Sequence, residues 1–207
     1  MVQSIIFDVD GTILDTEQAI LKSLQRILKE ETNRAYELDE LRFVLGIPGK
    51  DALTQLKISN IEAVQSKWSE AVLDFSNEVK VFNEMKEALT HLSGRKMKMG
   101  IVTSKTKQEL LDEFEPFGLS NFFSQTISAS DTIKHKPHPE PLLACLERLN
   151  ISANEAIYIG DSIYDLQCAM AANVKFALAL WGAKTLEGFE EADYVLHSPS
   201  DIASLLD

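Results

Sequence analysis

Short continuous apolar runs that end in acidic or hydroxyl residues, with amphipathic stretches between them, set the fold class of this 207-residue chain. Ile5-Ile6-Phe7 leads into Asp8-Val9-Asp10-Gly11-Thr12, the run 97–102 into Thr103-Ser104, and the run 156–159 into Gly160-Asp161. Strands covered on both faces read this way, because neither side of the pleat meets water. Helical patterns are expected over 84–92, 108–117, 140–149 and 162–172, with further short strands at 123–128, 175–180 and 194–196. Helices alternating with short apolar strands predict an α/β fold, a doubly wound parallel sheet with helices on both faces.

One region departs from that alternation. Between residues 15 and 80 the apolar positions follow a helical period, and no strand is predicted. Asp15 is placed to cap a first helix with Gln18 at its third position, putting Ile20, Leu24, Ile27 and Leu28 on one face. Further amphipathic stretches follow at 38–45, 51–56 and 61–75. The expected organisation is therefore a sheet core made of 1–14 and 81–207, with 15–80 inserted as an all-helical cap over the carboxyl ends of the strands. Gly46-Ile47-Pro48-Gly49-Lys50 interrupts the helical pattern and predicts a loop. Gly46 and Lys50 are its candidate specificity residues, Lys50 being the one cation there.

The net charge of −12, with no basic stripe against it, argues against nucleic acid and anionic membrane as partners. No apolar stretch is long enough to cross a bilayer and no signal segment opens the chain, so a cytoplasmic location is expected. Cys145 and Cys168 have no second Cys or His at metal-ligand spacing and read as buried inert thiols. A monomer or weak dimer is expected.

Ligands of open α/β sheets gather outside the carboxyl ends of the strands, and the chemistry-bearing residues fall there. Asp8 and Asp10 stand two apart at a strand end, and two crowded acids require a bound cation, a raised pKa or exposure to water. Thr103 and Ser104 offer hydroxyl and backbone donors suited to phosphate oxygens, although both are also ordinary helix caps. The prolines of Lys136-Pro137-His138-Pro139-Glu140-Pro141 fix a loop that can hold Lys136 in place, while His135 and His138 read as loop residues. Asp161 and Asp165, four apart near a helix start, share a helix face. Three carboxylates with hard oxygens suit Mg²⁺. Asp8 is then the candidate nucleophile, forming an aspartyl-phosphate. Asp10 is the general acid and base, and Thr103 and Lys136 hold the transferring phosphoryl oxygens.

Asp8-Val9-Asp10-Gly11-Thr12, Ile101-Val102-Thr103-Ser104, Lys136-Pro137 and Gly160-Asp161-Ser162-x-x-Asp165 together resemble the motifs of the haloacid dehalogenase superfamily, in order and over nearly the whole chain. The resemblance implies a Rossmann-like core with a helical cap inserted after the first motif. It also implies Mg²⁺ held by Asp8, the Asp10 carbonyl and Asp161, with Asp165 supporting the metal. Dehalogenases of that family lack the second acid of the first motif, so Asp10 implies a phosphatase. Within the family, the proline-rich loop and the Gly46 to Lys50 segment resemble the phosphoglycolate phosphatase branch. Relatives usually leave the cap through a Pro-Gly turn, and this chain has Asn83-Glu84 there. The expected activity is Mg²⁺-dependent hydrolysis of a small phosphorylated metabolite resembling 2-phosphoglycolate. The rival expectations are a phosphosugar mutase of the β-phosphoglucomutase type, a pyrophosphatase or nucleotidase, and a phosphate-ligand sensor without turnover.

Overall fold

The computed structural model describes residues 2–206. In chain order the elements are β1 (Ser4–Phe7), β2 (Leu14–Asp15), α1 (Glu17–Thr32), α2 (Leu38–Leu41), α3 (Gly49–Gln55), α4 (Ile61–Leu73) and β3 (Lys80–Val81). There follow α5 (Met85–Gly94), β4 (Lys98–Val102), α6 (Lys107–Glu113), β5 (Gln125–Ile127), α7 (Glu140–Leu149) and β6 (Ala156–Gly160). The chain continues through α8 (Ile163–Ala171), β7 (Lys175–Ala179), α9 (Leu180–Ala183) and β8 (Tyr194–Leu196), then a 3₁₀ segment, Pro199–Leu206.

Six strands form one sheet in the order β5-β4-β1-β6-β7-β8, with every pairing parallel. The chain moves outward from β1 through β4 to β5 and then returns to the other side of β1 at β6. That reversal makes the carboxyl end of β1 the switch point, where a crevice opens in doubly wound sheets. Phe7 stands opposite both Ile101 and Ile159, so this register brings the residues after three strands to one level.

Alternation along the strands divides the core. Ile5 and Phe7 pack with Met85, Leu89 and Leu92 of α5 on one face, whereas Ile6 and Tyr158 pack with Leu142 and Leu146 of α7 and Leu166 of α8 on the other. Full burial of one such aliphatic side chain contributes about 1.5–3 kcal/mol, so both faces hold the strand ends in place. Cys145 and Cys168 lie buried in the second cluster, and burial pushes each thiol up to about 12.

Helices α1 to α4 keep their own apolar cluster, which includes Leu21, Leu24, Leu28, Leu41, Leu53, Val64 and Trp68. Inside it the Trp68 indole N–H donates to the Ser23 hydroxyl at 3.0 Å, satisfying both buried groups. This helical block joins the sheet through a two-stranded antiparallel ribbon pairing Leu14 with Val81 and Asp15 with Lys80.

The ribbon corrects the expectation of a strandless 15–80 region, and it also moves the start of the first helix. Asp15 is held in the ribbon, so Thr16 occupies the N-cap position without a side-chain bond. The predicted 38–45 helix is α only over Leu38–Leu41 and tightens into a 3₁₀ turn, Arg42–Val44, before the chain reverses at Gly46. The expected loop at 46–50 ends early. The Pro48 carbonyl accepts from the amides of Asp51 and Ala52, so Gly49 and Lys50 already belong to α3.

Candidate active site

Asp8 leaves β1 almost wholly buried, its amide donating to the Ile159 carbonyl at 2.9 Å and one carboxylate oxygen accepting from the Val9 amide at 2.7 Å. Its other oxygen lies 2.9 Å from the Lys136 ammonium. That ammonium is also 2.6 Å from Asp165, whose carboxylate accepts from the Tyr158 phenol and from the Ser162 amide and hydroxyl. Asp165 is thus fixed from three sides and in turn fixes Lys136.

Asp8, Asp161 and Asp165 each bring a carboxylate oxygen within 4.8 Å of the others. Burial pushes Asp8 up to about 7, against the pull of Lys136, with Asp165 and Asp10 adding to the rise. Burial likewise holds Asp161 well above the usual carboxylate range, and Asp165 and Asp8 reinforce it. One lysine does not offset three clustered acids. A hard divalent cation fits this set, because carboxylate oxygens are its preferred donors and its charge would counter both shifts.

The Asp10 carboxylate stands outside that triad. It lies 3.1 Å from the Lys105 ammonium, which is itself 2.6 Å from Glu113. Desolvation opposes the charge on Lys105, but Asp10 and Glu113 outweigh it and hold the ammonium above the ordinary lysine range. Thr12 donates to Asp161 at 2.9 Å, and the Trp181 indole donates to the Thr12 carbonyl at 3.0 Å. Gly182 lies so close to the Gly11 carbonyl that a Cβ there would sit 1.8 Å from its oxygen, which explains a glycine in α9.

Asp8 and Asp10 open onto a cavity of about 70 Å³ between sheet and cap, lined also by Ser104, Lys105, Glu109 and Glu113 from the sheet side and Gln65, Trp68 and Ser69 from α4. A second cavity of about 300 Å³ shares Asp10 and Gly46 but not Asp8, and includes Asp161, Arg42 and Lys184. Its two cations are both bonded to Glu17.

The expected residues fall into three groups. Asp8, Asp161, Asp165 and Lys136 come into direct contact or within ligand distance of one another, with Asp10 beside them at the cavity. Thr103 is buried, and its hydroxyl accepts from the Lys105 amide at 3.2 Å. Ser104 donates to the Gly46 carbonyl at 3.0 Å, linking sheet and cap across the cavity. Gly46 has φ +84°, and a Cβ there would meet the Ser162 side chain at 2.6 Å. Lys50 is exposed on α3, 3.6 Å from Glu62, and does not line the cavity.

Sequence reasoning missed Lys105, Glu109, Glu113, Gln65 and Ser69. Lys105 directly follows Thr103-Ser104, so the strand-end rule applied one residue further would have found it. Glu109 and Glu113 are four apart on α6, a spacing that marks one face.

The family model described as haloacid dehalogenase-like hydrolase matches residues 5–179. A pyrophosphatase PpaX from Oceanobacillus iheyensis is 28% identical over 99% of this chain and 97% of its own length. A solved Lactobacillus plantarum structure, provisionally designated a phosphoglycolate phosphatase, is 29% identical with a TM-score of 0.91, covering 99% of this chain and all of that one. CbbY from Rhodobacter sphaeroides, solved with xylulose-(1,5)-bisphosphate, is 17% identical with a TM-score of 0.85 over 97% of this chain and 96% of its own; it shares the fold. With a family match spanning most of the sheet and all of the cap, the chain belongs to the haloacid dehalogenase-like hydrolases.

Proposed function

We propose that this chain is a Mg²⁺-dependent phosphatase that hydrolyses a small phosphorylated metabolite through an aspartyl-phosphate on Asp8. The observation that carries the reading is the contact of Asp8 with Lys136 inside an acidic triad whose Asp8 and Asp165 are buried, on a cavity that also holds Asp10. Bound at Asp8 and Asp161, with Asp165 behind them, Mg²⁺ would supply charge neutralisation for the phosphoryl oxygens and keep the Asp8 carboxylate ionised.

This chain's own groups do the rest. An Asp8 oxygen attacks phosphorus in line with the ester oxygen, the P–O bond to the alcohol breaks, and Asp10 gives its proton to the departing oxygen. Asp10 then takes a proton from water as that water attacks the aspartyl-phosphate, releasing inorganic phosphate and restoring Asp8. Lys136 neutralises charge on the transferring group, held in position by Asp165 and Tyr158. The pairing of Asp10 with Lys105 keeps its carboxylate at the cavity, where the leaving oxygen would stand.

The cavity against Asp8, about 70 Å³, has room for a few water molecules, which supports a phosphate ester of few atoms. The PpaX relatives favour a second reading, pyrophosphate hydrolysis by the same steps with phosphate as the leaving group. Phosphate release with Mg²⁺ tests the common mechanism. Asp8→Asn is expected to lower kcat by at least about 10³-fold, and chelation to abolish turnover reversibly. Full activity in Asp8→Asn would overturn the assignment.

A further inference from the structure

The leaving-group end of the Asp8 cavity has an unusual charge pattern. Among the described residues lining it, Lys105 is the one cation, and its ammonium is engaged by Glu113 at 2.6 Å and Asp10 at 3.1 Å. Glu109 stands on the same wall with neutral partners only. One of its carboxylate oxygens accepts from the Ser69 hydroxyl at 2.9 Å and the Gln65 amide at 3.5 Å, and the other accepts from the Thr106 amide at 2.7 Å. The Gln65 carbonyl oxygen is buried and has no donor. The wall that meets the alcohol half of a substrate thus presents carboxylate acceptors and an acidic excess. Lys50, the cation expected to meet an anionic substrate, lies outside the cavity beside Glu62.

Resting on the phosphatase reading above, we propose that the cavity selects phosphate esters of short alcohols that carry no negative charge, and that Glu109 enforces the selection. A carboxylate or second phosphate on the leaving group would be desolvated against Glu109 with no uncommitted cation to pair with, whereas a hydroxyl, amide N–H or ammonium would donate to Glu109. Like charges in a partly dry site repel far more than in water, so the discrimination acts on binding and on the transition state together. 2-Phosphoglycolate is an ester of few atoms, but its carboxylate is the kind of charge that this wall repels.

The test compares kcat/KM, with Mg²⁺, for 2-phosphoglycolate, its neutral isostere 2-phosphoglycolamide, ethanolamine phosphate and pyrophosphate. The amide and the amine are expected to exceed phosphoglycolate and pyrophosphate by about tenfold or more. Glu109→Gln, which keeps the capping geometry and removes the charge, is expected to narrow the amide-to-carboxylate ratio several-fold, with folding checked by thermal melting. Equal or greater kcat/KM for either anionic substrate in the unmodified protein would overturn the charge rule while leaving the phosphatase reading standing. An absence of phosphate release from all four would sink both.

Discussion

Asp131 accepts from the Ser128 hydroxyl at 2.6 Å and the Ser128 amide at 3.0 Å, and lies 3.1 Å from Lys107 and 3.3 Å from Arg148. Burial works against its charge, but the Ser128 bonds and the two cations outweigh that and hold the carboxyl far below the usual range. A folded-state pKa below the unfolded value contributes stability that is fully present above the unfolded pKa, about 4, and is lost as pH falls through the folded one. Asp131→Asn is therefore expected to lower Tm by a few degrees at pH 7 and by progressively less below pH 4, where the native carboxyl begins to lose its advantage. Thermal melts of both proteins from pH 7 to pH 2 check this. A constant gap across that range would place the effect in packing instead of charge.

At the scale of elements, the exit from the cap shows how sequence and geometry diverge. Glu84 precedes α5 with φ +65°, a left-handed conformation that favours glycine, where the family resemblance implies a Pro-Gly turn and this chain has Asn83-Glu84. A non-glycine residue there costs about 1 kcal/mol, and a β-branched one more. Glu84→Gly is expected to match or slightly exceed the native protein in urea unfolding, whereas Glu84→Val loses about 1–2 kcal/mol. A valine variant as stable as the glycine one would show that the turn relaxes freely. The strands that carry the site were legible because Ile5-Ile6-Phe7, Gly100-Ile101-Val102 and Ala156-Ile157-Tyr158-Ile159 are short apolar runs, and the acids and hydroxyls after them inherit their position from sheet register. Glu109 and Glu113 were not, since charges four apart on a short helix look like a solvated face until the cap covers them, and Lys105 lies one residue beyond the strand-end hydroxyls. Asp15 misled for a related reason. Its ribbon partner Lys80 lies across the whole cap insertion, and no local pattern reports such a pairing.

Across the whole molecule, sheet and helical cap keep separate apolar clusters, with Tyr164 of α8 packing against that of the cap, and hydrogen bonds cross the Asp8 cavity between them. Ser104 donates to Gly46, and Ser69 and Gln65 donate to Glu109. Polar seams of this kind let two bodies separate at low cost, because water replaces each bond as the cavity opens. Gly46 is where closure is most constrained. Its φ of +84° and the Ser162 side chain at 2.6 Å from a would-be Cβ leave no room for alanine with the cap seated as observed. Gly46→Ala should therefore act on closure more than on folding. The variant is expected to lose at least about tenfold in kcat/KM for the preferred ester while Tm falls only a few degrees, since none of the three apolar clusters includes residue 46. Parallel kinetics and calorimetry decide it. A Tm loss as severe as that from truncating a buried leucine of the cap, with kinetics of the surviving folded fraction unchanged, would make Gly46 a folding residue and remove it from the machinery that closes over Asp8.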